Sequence, residues 1–221
     1  MNRSLLLAVL AGLLLGGDAL AQTHSGQPEG KPEAKPDLAK AQAIAKDVCA
    51  ACHGADGNSS IPANPSVAGQ PAEYITLQLA HFRSGLRVNP IMQAMATPLQ
   101  PEDLKGLGIY FSQQKPRGVG GKDATVAAAG QKIYRGGDAA AGIPACAACH
   151  AANGAGIPKN YPRLAGQHAD YTFAQLKAFK SGERGQDKEG KDINGKIMSA
   201  VAAKMSDAQM KAVAEYVSGL R

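Results

Sequence analysis

The chain holds four cysteines, and all of them fall in two identical segments: Cys49-Ala50-Ala51-Cys52-His53 and Cys146-Ala147-Ala148-Cys149-His150. Thiols three positions apart lie about one helical turn apart. Both can then add to the two vinyl groups of one porphyrin, and the next residue offers an imidazole to its iron. Cys-x-x-Cys-His is the attachment signature of c-type haem. A zinc site would need both pairs to converge on one metal and would leave His53 and His150 unexplained. A redox dithiol of the thioredoxin kind needs a βαβ context, and no segment has strand alternation. The expected chemistry is therefore iron redox chemistry on two covalently attached haems. Cys49, Cys52, Cys146 and Cys149 are the attachment points, and His53 and His150 the proximal ligands.

One axial position remains on each iron, and the chain's internal repeat narrows the choice. With a shift of 97 positions, His53 falls on His150, Gly57 on Gly154, Pro65 on Pro162, Ala68-Gly69-Gln70 on Ala165-Gly166-Gln167, Tyr74 on Tyr171, Gln78-Leu79 on Gln175-Leu176 and Ser84-Gly85 on Ser181-Gly182. The register then slips by nine residues, after which Ile91-Met92 falls on Ile197-Met198. His81 and His168 have no histidine counterparts, so neither reads as a shared ligand. His81 reads as a partly exposed helix residue, and His168 as a helix-entry or propionate contact. Met92 and Met198 do correspond, and thioether sulfur suits low-spin iron. The competing reading is that they fill core gaps. Met95 is a rival to Met92, but its counterpart is Val201. Met205 pairs with Leu99 and reads as packing. Pro65 and Pro162 each have a carbonyl able to accept the proximal imidazole's Nδ1–H, an orienting bond such ligands need.

The elements that must place these residues read as helical throughout, so the expected fold is all-α. Asp37 caps a helix with Leu38, Ala41, Ile44, Ala45 and Val48 on one face, leading into the first motif. Its counterpart carries Val126, Gly130, Ile133 and Tyr134. A second helix starts near Pro71 and stops at Gly85, and its twin stops at Gly182. The last helix of the first half opens on Pro101 with Glu102 and Asp103 at the positive end of its dipole. The last helix of the chain opens on the capping box Ser206–Gln209. Lys115 to Gly121 is a Pro/Gly join. The expected layout is a signal peptide over 1–21, a lead-in over 22–37, one haem domain over 38–115, a linker over 116–124 and a second haem domain over 125–221.

Arg3, the apolar stretch from Ser4 to Gly17 and Ala19-Leu20-Ala21 make a secretory signal cut after Ala21. The apolar run is short for a membrane span. Export to the periplasm fits covalent haem attachment, which bacteria carry out outside the cytoplasmic membrane. Pro, Gly, Glu and Lys dominate the lead-in, where His24 reads as a non-ligand. The formal net charge is +6. Loss of the signal leaves it unchanged, and four propionates would offset much of it. The basic residues are scattered, which speaks against nucleic acid and for a redox docking face. Tryptophan is absent and aromatics are few, so two small domains would have thin cores unless each closed around a flat apolar cofactor.

The chain resembles the dihaem cytochrome c4 family, built from two class I cytochrome c domains, over about residues 38 to 221. The likeness rests on Cys49 to Gly54, Ala68-Gly69-Gln70 and its twin, Gly136-Gly137, Tyr110-Phe111-Ser112, and Ile197-Met198 with Ala202-Ala203-Lys204. The resemblance implies His/Met ligation: His53 and Met92 for haem one, His150 and Met198 for haem two. It also implies a periplasmic carrier, often at the membrane surface, that moves electrons from a respiratory-chain donor such as a quinol-oxidising complex toward a terminal oxidase. The alternative is a haem subunit of a sulfide or thiosulfate dehydrogenase. A small peroxidase ranks below both, because no distal acid–base pair is evident. Two departures from the family pattern stand out: Ala151 follows His150 where glycine is expected, and the charged stretch from Glu183 to Lys196 is long.

Overall fold

The structure is a computed structural model that describes residues 35–187 and 189–221. The expected signal peptide, its cleavage site, His24 and most of the lead-in lie outside them. Among the described residues there are helices and two isolated bridges, with no sheet. The first half comprises α1 (Leu38–Ile44), a π-helical turn (Ala45–Cys49), α2 (Ala50–His53), α3 (Ala72–Ser84), α4 (Pro90–Ala96) and α5 (Pro101–Ser112). The second comprises α6 (Ala124–Gly136), α7 (Ala147–His150), α8 (Ala169–Ser181), α9 (Ile193–Ala203) and α10 (Asp207–Gly219).

Each half repeats one packing scheme, with its entry helix against its exit helix: α1 on α5 and α6 on α10. The entry helices start alike. The Asp37 carboxylate accepts from the Ala39 and Lys40 amides, and Asp123 accepts from those of Thr125 and Val126. The crossings are close because one residue at each is glycine. A Cβ on Gly130 would stand 1.9 Å from the Ala212 carbonyl oxygen, and one on Gly106 would stand 2.9 Å from the Ala41 methyl. The middle helices complete the cores, α3 against α5 and α8 against α10. Gly85 and Gly182 end α3 and α8 in left-handed caps.

The cores are thin, as the low aromatic content predicts. In the first half Ala45, Ile75, Leu107 and Phe111 are buried together, with Cys49 packed at their edge. In the second, Tyr134, Leu176, Phe179, Met205, Met210, Val213 and Val217 form a larger cluster with Cys146 at its edge. Met205 is buried, in line with its reading as a packing residue.

The entry segments differ in a way the sequence repeat hides. Chain runs without a break from α1 through the π turn into the first motif. In the second half Asp138–Ala145 leave the helix and return through paired backbone bonds between Asp138 and Ile143 before the motif starts.

The two halves pack on each other within one compact unit, Ala34–Arg221. The join between them is anchored at both ends: the Arg117 amide donates to Asn58 Oδ1 at 2.8 Å, and the Asp123 amide donates to Glu215 Oε1 at 2.7 Å. No helix among the described residues is long and apolar enough to cross a membrane.

Candidate metal centres

Each Cys-x-x-Cys-His segment forms a single helical turn, α2 or α7.

After each motif the chain makes the same loop. The Val67 and Ala68 amides donate to the Gly57 carbonyl, as those of Leu164 and Ala165 do to Gly154. The Gly69 amide then donates to the Phe111 carbonyl and that of Gly166 to Val217, tying each loop to its exit helix. This brings a proline carbonyl back over each histidine. His53 donates Nδ1–H to the Pro65 carbonyl at 2.8 Å, and His150 donates to Pro162 at 3.0 Å. Both bonds are those expected from the sequence. They fix the tautomer that leaves Nε2 with its lone pair. Burial holds both imidazoles below the usual histidine range, which keeps them in the neutral, metal-ligating form, and the proline carbonyls partly offset this.

Met92 and Met198 are half-buried, on α4 and α9. Asn89 starts α4 by accepting the Met92 amide, and Asp192 starts α9 by accepting that of Gly195. Large apolar side chains stay exposed in both halves, and several are close in sequence to these methionines: Val88, Ile91 and Met95 in the first half, Ile193 and Ile197 in the second. A paired thiol turn, an oriented neutral imidazole and uncovered apolar surface fit a covalently held porphyrin in each half. The residues that would hold it are Cys49, Cys52 and His53 in one half and Cys146, Cys149 and His150 in the other.

Of the two other described histidines, His168 stands at a helix entry as the sequence places it, and His81 does not lie on the surface as expected. His81 is buried, because Arg184, Asp187 and Asp192 of the other half lie over it. Its Nδ1 has no hydrogen-bond partner and stands 3.9 Å from Asp192. His168 is buried at the start of α8 and donates Nε2–H to the Ser59 carbonyl of the first half at 2.8 Å.

Sequence reasoning also passed over a set of residues at the contact between the halves. Arg87 donates to Gln78 of its own half (2.7 Å) and to Tyr171 (2.9 Å) and Gln175 (2.8 Å) of the other. Arg184 mirrors it, donating to Gln175 (2.7 Å) and to Tyr74 (3.2 Å) and Gln78 (3.0 Å) across the contact. Each guanidinium also lies over an aromatic ring of its own half, Phe82 or Phe179. The signal was available: Arg87 and Arg184 share the 97-residue register of the glycines before them.

An all-helical chain with two repeated haem-attachment turns, each backed by an oriented histidine, is a dihaem c-type cytochrome. Comparison with known proteins agrees. Residues 127–221 match the family model for cytochrome c, and residues 36–110 that for cytochrome c oxidase, cbb3-type, subunit III. The chain is 41% identical to cytochrome c4 of Pseudomonas aeruginosa over 185 residues, covering 83% of this chain and 89% of that protein. It is also 41% identical to a thiosulfate dehydrogenase electron acceptor of Thiomonas intermedia, over 77% of each chain. The solved structure of reduced cytochrome c4 from Pseudomonas stutzeri superposes with a TM-score of 0.76 at 38% identity, over 84% of this chain and 100% of that one. The chain belongs to the cytochrome c4 family.

Proposed function

We propose that this cytochrome is a periplasmic electron carrier working by outer-sphere transfer between a respiratory-chain donor, such as a membrane quinol-oxidising complex, and a terminal oxidase. His53 and Met92 are the axial ligands of haem one, and His150 and Met198 those of haem two. One observation carries the reading: both halves present a histidine locked by a proline carbonyl, and both carry the corresponding methionine on the helix that follows α3 or α8. When bound, each haem supplies a one-electron ferrous–ferric couple. The chain's part is to keep the ligands fixed and the pocket dry, so that little rearranges as charge moves. Pro65 and Pro162 hold the imidazoles in one orientation, and the helix caps Asn89 and Asp192 hold the segments bearing the methionines. The protein is exported, its signal is cut after Ala21, and it works at or near the membrane surface with haem domains at 38–115 and 125–221.

A redox-controlled absorption spectrum with and without carbon monoxide tests this. Two haems with the ferric sulfur-to-iron band and no gas binding are expected. A haem that binds the gas would overturn the ligand assignment and turn the reading toward catalysis or sensing.

A second reading is a haem subunit or acceptor of a periplasmic dehydrogenase acting on thiosulfate or sulfide. The similarity to the Thiomonas protein favours it. Tight co-purification with a catalytic subunit, and reduction by thiosulfate only in its presence, would select it.

A further inference from the structure

Each proximal histidine is bonded to a peptide unit whose other end is held by the opposite half. The Pro65 carbonyl accepts from His53, and the amide of that same peptide bond, Ser66 N–H, donates to Gln167 Oε1 at 2.9 Å. The Gln167 carboxamide closes a ring by donating back to the Ser66 carbonyl at 2.9 Å. The second half repeats this. The Pro162 carbonyl accepts from His150, Arg163 N–H donates to Gln70 Oε1 at 3.0 Å, and Gln70 donates back to the Arg163 carbonyl at 2.7 Å. Both glutamines are buried, and Gln167 Oε1 also takes the His168 amide at 3.0 Å, which fixes its carboxamide plane.

A peptide group is one conjugated unit. Accepting a hydrogen bond from its N–H draws charge onto its carbonyl oxygen, and bonds in such a chain strengthen one another. A stronger acceptor at Nδ1 makes the imidazole more electron-rich, and a more basic ligand favours the ferric ion. We infer that Gln167 and Gln70 are positioning residues that tune the haem of the opposite half. Gln167, in the second half, lowers the potential of haem one, and Gln70, in the first, lowers that of haem two. Packing of the halves thus sets both redox couples, through one peptide each.

The inference rests on the two-haem carrier reading. It is tested on the full-length dihaem protein by redox titration, with the haems told apart by NMR of their methyl groups. Gln167→Met removes both bonds at similar volume. Its expected effect is a shift of about three- to tenfold in the reduction equilibrium of haem one toward the ferrous form, or about 28–59 mV for a one-electron couple, with haem two little moved. Gln70→Met should shift haem two and spare haem one. Gln167→Glu, which keeps a stronger acceptor oxygen, should move haem one the other way and serves if the methionine variant does not fold. A general loosening of the contact cannot give this crossed pattern. The inference is overturned if each variant moves the haem of its own half, or moves both equally. Failure of the carrier reading would show separately, as gas binding by the unsubstituted protein.

Discussion

Tyr134 donates its hydroxyl to the carbonyl of Ala151 at 2.7 Å. Ala151 is the non-glycine residue with positive φ among those described, at φ 65° and ψ 154°. That conformation is essentially reserved for glycine, and side chains held in it cost about 1–3 kcal/mol. The first half meets the same geometry with Gly54. The missing glycine after the second motif is thus matched by a fully buried hydroxyl that pins the strained peptide.

Two substitutions separate strain from clamp. Ala151→Gly should stabilise the protein by about 1–2 kcal/mol. Tyr134→Phe should destabilise it by about 1 kcal/mol, because a half-buried carbonyl loses its donor. In the double variant the tyrosine's loss should cost less than in the parent. Denaturant titration of the four proteins measures the coupling.

Arg87→Met removes the guanidinium donor to Tyr171 and one of the two guanidinium donors on each of Gln78 and Gln175, whose other donor is Arg184. A loss of about 2–3 kcal/mol is expected by urea denaturation. Arg87→Lys should recover little, since one ammonium cannot span the three sites of a planar fork. Arg184→Met should cost a similar amount.

His81 titrates against burial. Burial drives its pKa down, Asp192 and Asp187 oppose this, and the Arg184 and Arg87 guanidiniums reinforce it. The unfolded chain therefore takes up the proton first. The resulting stability is fully present above the ordinary histidine value of about 6.5. It is lost as pH falls below that value toward the folded pKa, at no more than about 1.4 kcal/mol per pH unit for this one group. Thermal melts between pH 8 and pH 5 should show this decline, and His81→Gln should flatten it. An unchanged slope in the variant would assign the decline to other groups.

Gly130→Ala puts a methyl where the Ala212 carbonyl stands and forces α6 off α10. A loss above about 3 kcal/mol is expected, since overpacking of a tight site costs about 1–3 kcal/mol or more. Gly136, on the same helix, has nothing within 4 Å of an added Cβ. There Gly136→Ala should be neutral or gain about 0.5 kcal/mol. Thermal melts of the two variants give the contrast.

The entry, middle and last helices of each half, the caps at Asp37 and Ser206, the repeat and the proline acceptors at 65 and 162 were legible in the sequence because each rests on local chemistry or short spacing, whereas α4 and α9, which carry Met92 and Met198, were not read as helices. His81 was misplaced because its cover comes from the insertion in the other half, about a hundred residues away, and helical periodicity carries no information about that. The glutamines of the two Ala-Gly-Gln segments were visible as a repeat but not as cross-contacts, since each acts on the half that does not contain it. The π turn over Ala45–Cys49 was hidden by an apolar pattern that reads smoothly through it.

The exchange of Gln70 for Gln167 across the contact, and of Arg87 for Arg184, is a surface meeting a copy of itself. Such an isologous arrangement is the form a twofold homodimer takes. A single-haem ancestor pairing in this way would already have possessed the whole contact before its gene was doubled. Joining the copies through residues 116–123 replaced an encounter in solution with an effective concentration of roughly millimolar order. It also released the two surfaces from having to stay identical. His168 on Ser59 and His81 beneath Asp192 record that release, for their counterparts in the repeat, Pro71 and Ala178, can make neither contact.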